Sequence, residues 1–140
     1  MLSKKAKYGL KAIINLGKNS NGKPVLISEI AEEERIPKKF LEVILLELKN
    51  SGYLQSKKGK GGGYYLVKKP KEIFIGDIIR ILDGSLAPVK CVSKTAFEAC
   101  RDCKDVETCL VRWIMKHVRN VISDVLDKRS LYDLINKVKY

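Results

Sequence analysis

Apolar residues recur at helical spacing through most of this chain and at strand spacing only near its middle. Over residues 4–18, Ala6, Leu10, Ile13, Ile14, Leu16 and Gly17 fall largely on one face, which predicts a helix. Asn19-Ser20-Asn21-Gly22 breaks it. Ser28 is expected to cap a short second helix running through Glu33, with Ile30 and Ala31 inward. Arg35-Ile36-Pro37 reads as a turn, and Pro37 suits the start of the next helix because its missing N–H costs nothing there. That third helix runs to about Ser51 on a stripe of Leu41, Ile44, Leu45 and Leu48, with Gly52 as its C-cap. Tyr53-Leu54-Gln55-Ser56 and Tyr64-Tyr65-Leu66-Val67 then read as the strands of a hairpin, and Pro70 ends the second.

Ile75, Ile78, Ile79 and Leu82 predict a fourth helix that stops at Gly84. Residues 87–108 have little periodicity. A long helix is expected over about 106–127, roughly 33 Å in length. Its stripe of Leu110, Ile114, Val118, Val121, Ile122 and Val125 is widened by Val111, Met115 and Leu126. That is broad for a helix on one small core and is suited to burying a second subunit. Ser130 with Asp133 forms a capping box for a last helix carrying Leu131, Leu134, Ile135 and Val138. The expected fold is therefore mainly α with a small two-stranded β wing. Residues 1–84 form a DNA-binding unit, 85–108 a cysteine-containing sensor loop, and 106–140 a dimerisation helix with a terminal helix.

The DNA expectation comes from residues 35–66. Two short helices, a tight turn and a third helix make a helix-turn-helix, whose recognition helix sends N-terminal side chains to base edges. Those would be Lys38, Lys39, Phe40 and Glu42. Lysine donates to guanine, glutamate accepts from cytosine N4, and an aromatic packs on a thymine methyl. Glu42 opposes the phosphate field, so it is expected to discriminate between bases rather than add affinity. Its plainer reading is a solvated carboxylate paired with a lysine. The hairpin tip offers Lys57, Lys58 and Lys60 to phosphates or the minor groove, and backbone N–H groups near Gly59 and Gly61 can join them. The GKGGG run is not a nucleotide loop. It lacks the GK[ST] ending and lies between two strands. Charge agrees with this placement: residues 1–80 hold 17 basic and 8 acidic residues, residues 81–140 hold 11 and 8, and the whole chain carries +12. A lysine-rich solvated surface would account for the total but not for its placement.

Residues 35–66 resemble the IscR/NsrR/CymR family, the Rrf-two superfamily, of bacterial winged-helix transcription regulators. The resemblance starts at LSKKAKYGLKAI and continues through ISEIAEEERIPKKFLEVILLELKNSGYLQSKKGKGGGYYL. It includes IGDIIRILDG and the cysteine segment, and the run ending in GGGYYL is its most specific part. It implies a homodimer held by the long C-terminal helix, which crosses the partner's first helix, and a pseudo-palindromic double-stranded DNA operator. By position, Lys39, Phe40, Glu42, Lys49, Lys58 and Gly59 match DNA-contacting sites of IscR-like members. Lys39 and Lys58 stand where those proteins can carry Ser and Arg, so their half-site sequence does not transfer. The function implied is a sequence-specific regulator, with repression as the expected mode, and not an enzyme.

Cys91, Cys100, Cys103 and Cys109 are all the cysteines present, spaced C-x8-C-x2-C-x5-C. Thiolates at such range can ligate a soft metal or an iron–sulfur cluster, although the spacing is neither a ferredoxin's nor a zinc ribbon's. The resemblance adds that cluster-binding members place three cysteines in this segment. Cys91 matches the first, Cys103 and Cys109 keep the gap of the second and third, and Cys100 is extra. Arg112 stands where IscR-like proteins add a histidine, and the single histidine, His117, lies two helical turns past Cys109 and reads as a surface or packing residue. Cys100 is then the place to seek a fourth ligand. The acidic first-helix ligand of nitric-oxide sensors is missing, because the corresponding stretch is Ala6-Lys7-Tyr8. Three readings stay open: an iron–sulfur sensor, a thiol switch with Cys100 and Cys103 as the expected pair, and structural zinc or no cofactor. A thiol oxidoreductase using Cys100-x-x-Cys103 would need a βαβ context, and none is visible. Lysines 4, 5, 7 and 11 interrupt the N-terminal apolar residues, so no signal peptide and no membrane span is expected, and a cytoplasmic location follows.

Overall fold

The computed structural model describes residues 2–19 and 22–140, so the Ser20 and Asn21 of the predicted helix break lie outside the described residues. Helix α1 (Lys4–Lys18) is the hub. Ser3 caps it by accepting from the Ala6 N–H at 3.0 Å, and Ala6, Ala12, Ile13 and Leu16 are buried along it. Helix α2 (Ile27–Glu34), α3 (Lys38–Asn50) and α4 (Ile75–Asp83) all pack on α1. The shared core includes Ile13, Ile30, Leu41, Ile44, Leu45, Leu48, Leu54, Ile73 and Ile78, each fully buried. Each such side chain is worth about 1.5–3 kcal/mol of burial, which fixes how α3 is held.

Ser28 does not cap α2. The helix starts two residues earlier than expected, Leu26 stands at its N-cap with no side-chain bond, and Ser28 is exposed in the first turn. The cause is a backbone rung: Val25 and Tyr64 exchange two hydrogen bonds at 2.8 Å, which fixes where the chain leaves for α2. Strands β1 (Leu54–Lys57) and β2 (Gly63–Leu66) form an antiparallel pair with Leu54 opposite Leu66 and Lys57 opposite Gly63. The first begins one residue later than expected because the Tyr53 N–H closes α3 on the Leu48 carbonyl at 3.0 Å. Gly52, at φ +86°, makes that closure possible.

The segment after β2 takes a 3₁₀ turn at Pro70–Glu72 and enters α4, which ends at Gly84 as expected. Helix α5 (Leu110–Leu126) starts four residues later than the expected 106. Asp105 turns the chain by accepting from the Glu107 N–H at 3.0 Å, and Cys109 becomes the N-cap. After α5 the chain pairs back: Ile75 N–H donates to Arg129 O at 2.9 Å and Leu131 N–H to Ile73 O at 2.7 Å. Helix α6 (Leu131–Ile135) carries the expected Ser130–Asp133 capping box and buries Leu131 against α1. Among the described residues, no helix is long and apolar enough to cross a membrane.

Candidate nucleic-acid interface and cysteine loop

The turn between α2 and α3 is three residues, and its geometry is set by one of them. Arg35 adopts the left-handed conformation at φ 55°, ψ 50°, and the next N–H, of Ile36, reaches back to Ala31 O at 2.9 Å. Ile36 is buried beneath the turn, offsetting the roughly 1–2 kcal/mol that a non-glycine residue costs there. Pro37 then opens α3 with no N–H to lose.

With Leu41, Ile44, Leu45 and Leu48 inward, Lys38, Lys39 and Glu42 are exposed. Glu42 makes no ion pair among the described residues, whereas Glu47 on the same helix pairs with Lys5 at 2.6 Å. Phe40 is half-buried and meets Tyr8 of α1 edge-on, with ring centroids 5.5 Å apart at 79°. Lys49 is also engaged within the fold, its Nζ donating to Ser56 Oγ at 2.7 Å and tying α3 to the wing. The structure brings forward two side chains on α3 that sequence reasoning passed over, Val43 and Leu46, both half exposed. The same 3.6-residue period that placed the core stripe would have found them.

The wing tip presents Lys57, Lys58, Gly59, Lys60 and Gly61 to solvent, closed by a turn in which Gly62 N–H donates to Gly59 O at 3.0 Å. Its root is tightly built. A Cβ on Gly63 would lie 2.3 Å from the Val25 carbonyl oxygen, and φ at Gly63 is +138°. The wing therefore stands on a three-segment base, Val25–β2–β1, that a two-strand reading does not contain.

The cysteine loop is held to α5 by two arginines one heptad apart. Cys91 and Val92, both buried, sit in a 3₁₀ turn (Lys90–Val92). Arg112 Nε donates to Cys91 O at 3.1 Å, and Arg119 Nη1 donates to Val92 O at 2.7 Å. Cys109 Sγ accepts from the Arg112 N–H at 3.4 Å and caps α5. Cys100 is exposed, with Cys103 partly so. Lost solvation around the sulfur, the adjacent Cys91 thiol and Asp102 push the Cys100 thiol above its ordinary range, toward the neutral form. α5 itself has no buried residue: Leu110, Val111, Trp113, Ile114, Val121 and Val125 are all exposed.

Comparison with known proteins settles the family. Residues 2–137 match the family model described as Rrf2, iron-dependent transcriptional regulator. The chain belongs to the Rrf2 family of transcriptional regulators. It is 34% identical over 133 residues to the HTH-type transcriptional regulator CymR of Bacillus subtilis, covering 95% of this chain and 88% of CymR. Among solved structures it is similar to CymR (YrzC), the global cysteine regulator of B. subtilis, with a TM-score of 0.80, 31% identity and 99% and 98% of the two chains covered. It is also similar to T. potens IscR, with a TM-score of 0.78, 27% identity and coverage of 99% and 88%.

As a member of the Rrf2 family, the chain is a helix-turn-helix DNA-binding regulator with a mainly helical winged fold. Its four thiols are suitable donors for a soft metal or iron–sulfur cluster. Among the described residues, no three Cys, His, Asp or Glu side chains gather around one point, and the Cys109 sulfur accepts from the Arg112 N–H at the start of α5. The position of the IscR-like histidine, Arg112, carries a guanidinium bonded to a carbonyl.

Proposed function

We propose that this Rrf2-family chain is a homodimeric repressor that reads a pseudo-palindromic duplex with α3, grips its backbone with the wing, and receives its signal through residues 85–108. The observation that carries the reading is α3 itself, an amphipathic helix with a free Glu42 between lysines on its solvent face, beside a wing tip of three exposed lysines. Lys38, Lys39, Glu42, Lys57, Lys58 and Lys60 supply base and phosphate contacts, with N–H groups near Gly59 and Gly61. Phe40 and Lys49 position the helix from behind.

The dimer rests on the exposed apolar face of α5, which nothing in its own subunit covers. Burying it in a partner would set two recognition helices for half-sites about 34 Å apart. Arg112 and Arg119 tie the cysteine turn to that helix, so bonding changes at the cysteines would reach the dimer seam. Iron–sulfur ligation is the first reading of the signal, supported by the thiol cluster and the likeness to IscR. A thiol switch is the second, with the exposed Cys100 and the partly exposed Cys103 as its pair.

Selection of bound sequences from random duplexes tests the reading. Enrichment of a two-fold-related site bound by two chains is expected. Failure to enrich any sequence, or binding by one chain, would overturn it.

A further inference from the structure

The solvent face of α3 carries two apolar side chains, Val43 and Leu46, that the roles above leave unused. Helical spacing sets Lys39, Glu42, Val43 and Leu46 side by side, since 42 and 43 follow 39 by three and four residues and 46 follows them by four and three. Lys39 and Glu42 are exposed, and Val43 and Leu46 are 50% and 51% exposed. The helix buries Leu41, Ile44, Leu45 and Leu48 completely, so its core face is already filled. Phe40, the aromatic of this helix, is turned away against Tyr8.

We propose that Val43 is a specificity-determining residue: it packs against the C5-methyl of a thymine in the major groove, next to the base pair that Glu42 reads. This rests on the DNA reading given above. The thymine methyl is the apolar feature of the major-groove edge, and a short branched side chain is the right complement to it. Val43 lies about 100° around the helix from Glu42 and one turn beyond Lys39, so three side chains of different chemistry face neighbouring base edges. Leu46 lies about 4.5 Å farther along the axis, towards the groove wall. A protein partner is the other occupant that an apolar pair could take. The surrounding charge favours DNA, because Lys38 and Lys39 precede the pair and Lys57, Lys58 and Lys60 project from the wing, all exposed.

The test uses the full chain and the duplex enriched by selection. Each thymine is replaced in turn by deoxyuridine, which lacks only the methyl. The unaltered protein is expected to lose about three- to fivefold in affinity at one position of each half-site, the scale of one buried methyl group. Val43→Ala is expected to lose nothing further at that position while melting at the unaltered temperature. Equal deoxyuridine losses in both proteins at every thymine, or an enriched site with no methyl-sensitive thymine, would overturn the assignment and leave the regulator reading standing. Val43→Ala that changes oligomeric state but not affinity would assign the face to a protein contact instead. Failure to enrich any sequence would end the regulator reading and this one with it.

Discussion

Arg80 grips Asp127 with both arms of its guanidinium, at 2.7 and 2.8 Å. The pair joins α4 to the C-terminal end of α5, a helix with no fully buried residue in its own subunit. It therefore fixes the direction in which the exposed apolar face of α5 points. The hydrogen bond from Arg80 holds the Asp127 carboxyl below the ordinary carboxylate range, and the same bond raises Arg80. A lowered acid pKa means stability that is present above the unfolded value, about pH 4, and lost as pH falls through the folded one. Asp127→Asn is expected to cost about 1 kcal/mol at neutral pH, since both partners are partly exposed. Denaturant melts at about pH 7 and about pH 3 check this. The difference between the two proteins should shrink at the acid pH, and an unchanged difference would contradict the latch.

The two halves of the reader should fail differently. Lys58→Ala removes a wing charge and is expected to weaken every duplex alike, flattening the salt slope by about one. Glu42→Ala is expected to relax base preference, by about 1–3 kcal/mol between the preferred pair and its substitutes, without a matching loss on random duplex. Competition binding with enriched and scrambled duplexes separates the two. Equal losses on both duplexes for Glu42→Ala would remove its readout role.

Gly63→Ala sets a side chain into the Val25 carbonyl at a positive φ. It is expected to break the Val25–Tyr64 rung, cost about 1–3 kcal/mol, and lower duplex affinity through a displaced wing. Thermal melting and amide exchange at Tyr64 check it. Protection at Tyr64 equal to that of the unaltered chain would show that the rung does not hold the wing.

The helices and the hairpin were legible because their apolar residues keep period. Leu41, Ile44, Leu45 and Leu48 define α3, and Ser130 with Asp133 announces α6. The features missed depend on distant partners. Val25 pairs with Tyr64 across 39 positions, and no local pattern in a single residue marks such a rung. The α5 start was misplaced because an Asx turn at Asp105 and a thiol cap at Cys109 interrupt a continuous apolar pattern. The sequence grouped the exposed lysines on one segment, but only packing shows that Phe40 meets Tyr8 and Lys49 bonds Ser56 while Val43 and Leu46 face out. The cysteine cluster was visible as spacing, and the arginines that anchor it were not.

Arg112 and Arg119 give the cysteine loop a measurable attachment. Changing both to methionine keeps chain length and removes the bonds to Cys91 O and Val92 O. Amide exchange over residues 90–93 is expected to rise by tenfold or more, the scale of about 1.4 kcal/mol. Unaltered exchange would mean that α5 and the loop are not coupled through these side chains.

Metal and sulfide analysis of anaerobically purified protein, with its absorption spectrum, separates the readings of the loop. The iron–sulfur reading expects coloured protein that loses iron and sulfide in each of Cys91→Ala, Cys103→Ala and Cys109→Ala. Colourless protein with stoichiometric zinc, or with no metal, would end that reading and leave the thiols to act by their own chemistry.

The central claim is that α3 and the wing form a sequence reader for duplex DNA. Affinity measured against salt, on the enriched duplex and on a scrambled one, tests it most directly. Both affinities should fall steeply from low to moderate salt, because lysines release phosphate counterions, and the enriched duplex should keep its advantage throughout. A flat response to salt, or two curves that coincide, would contradict the account.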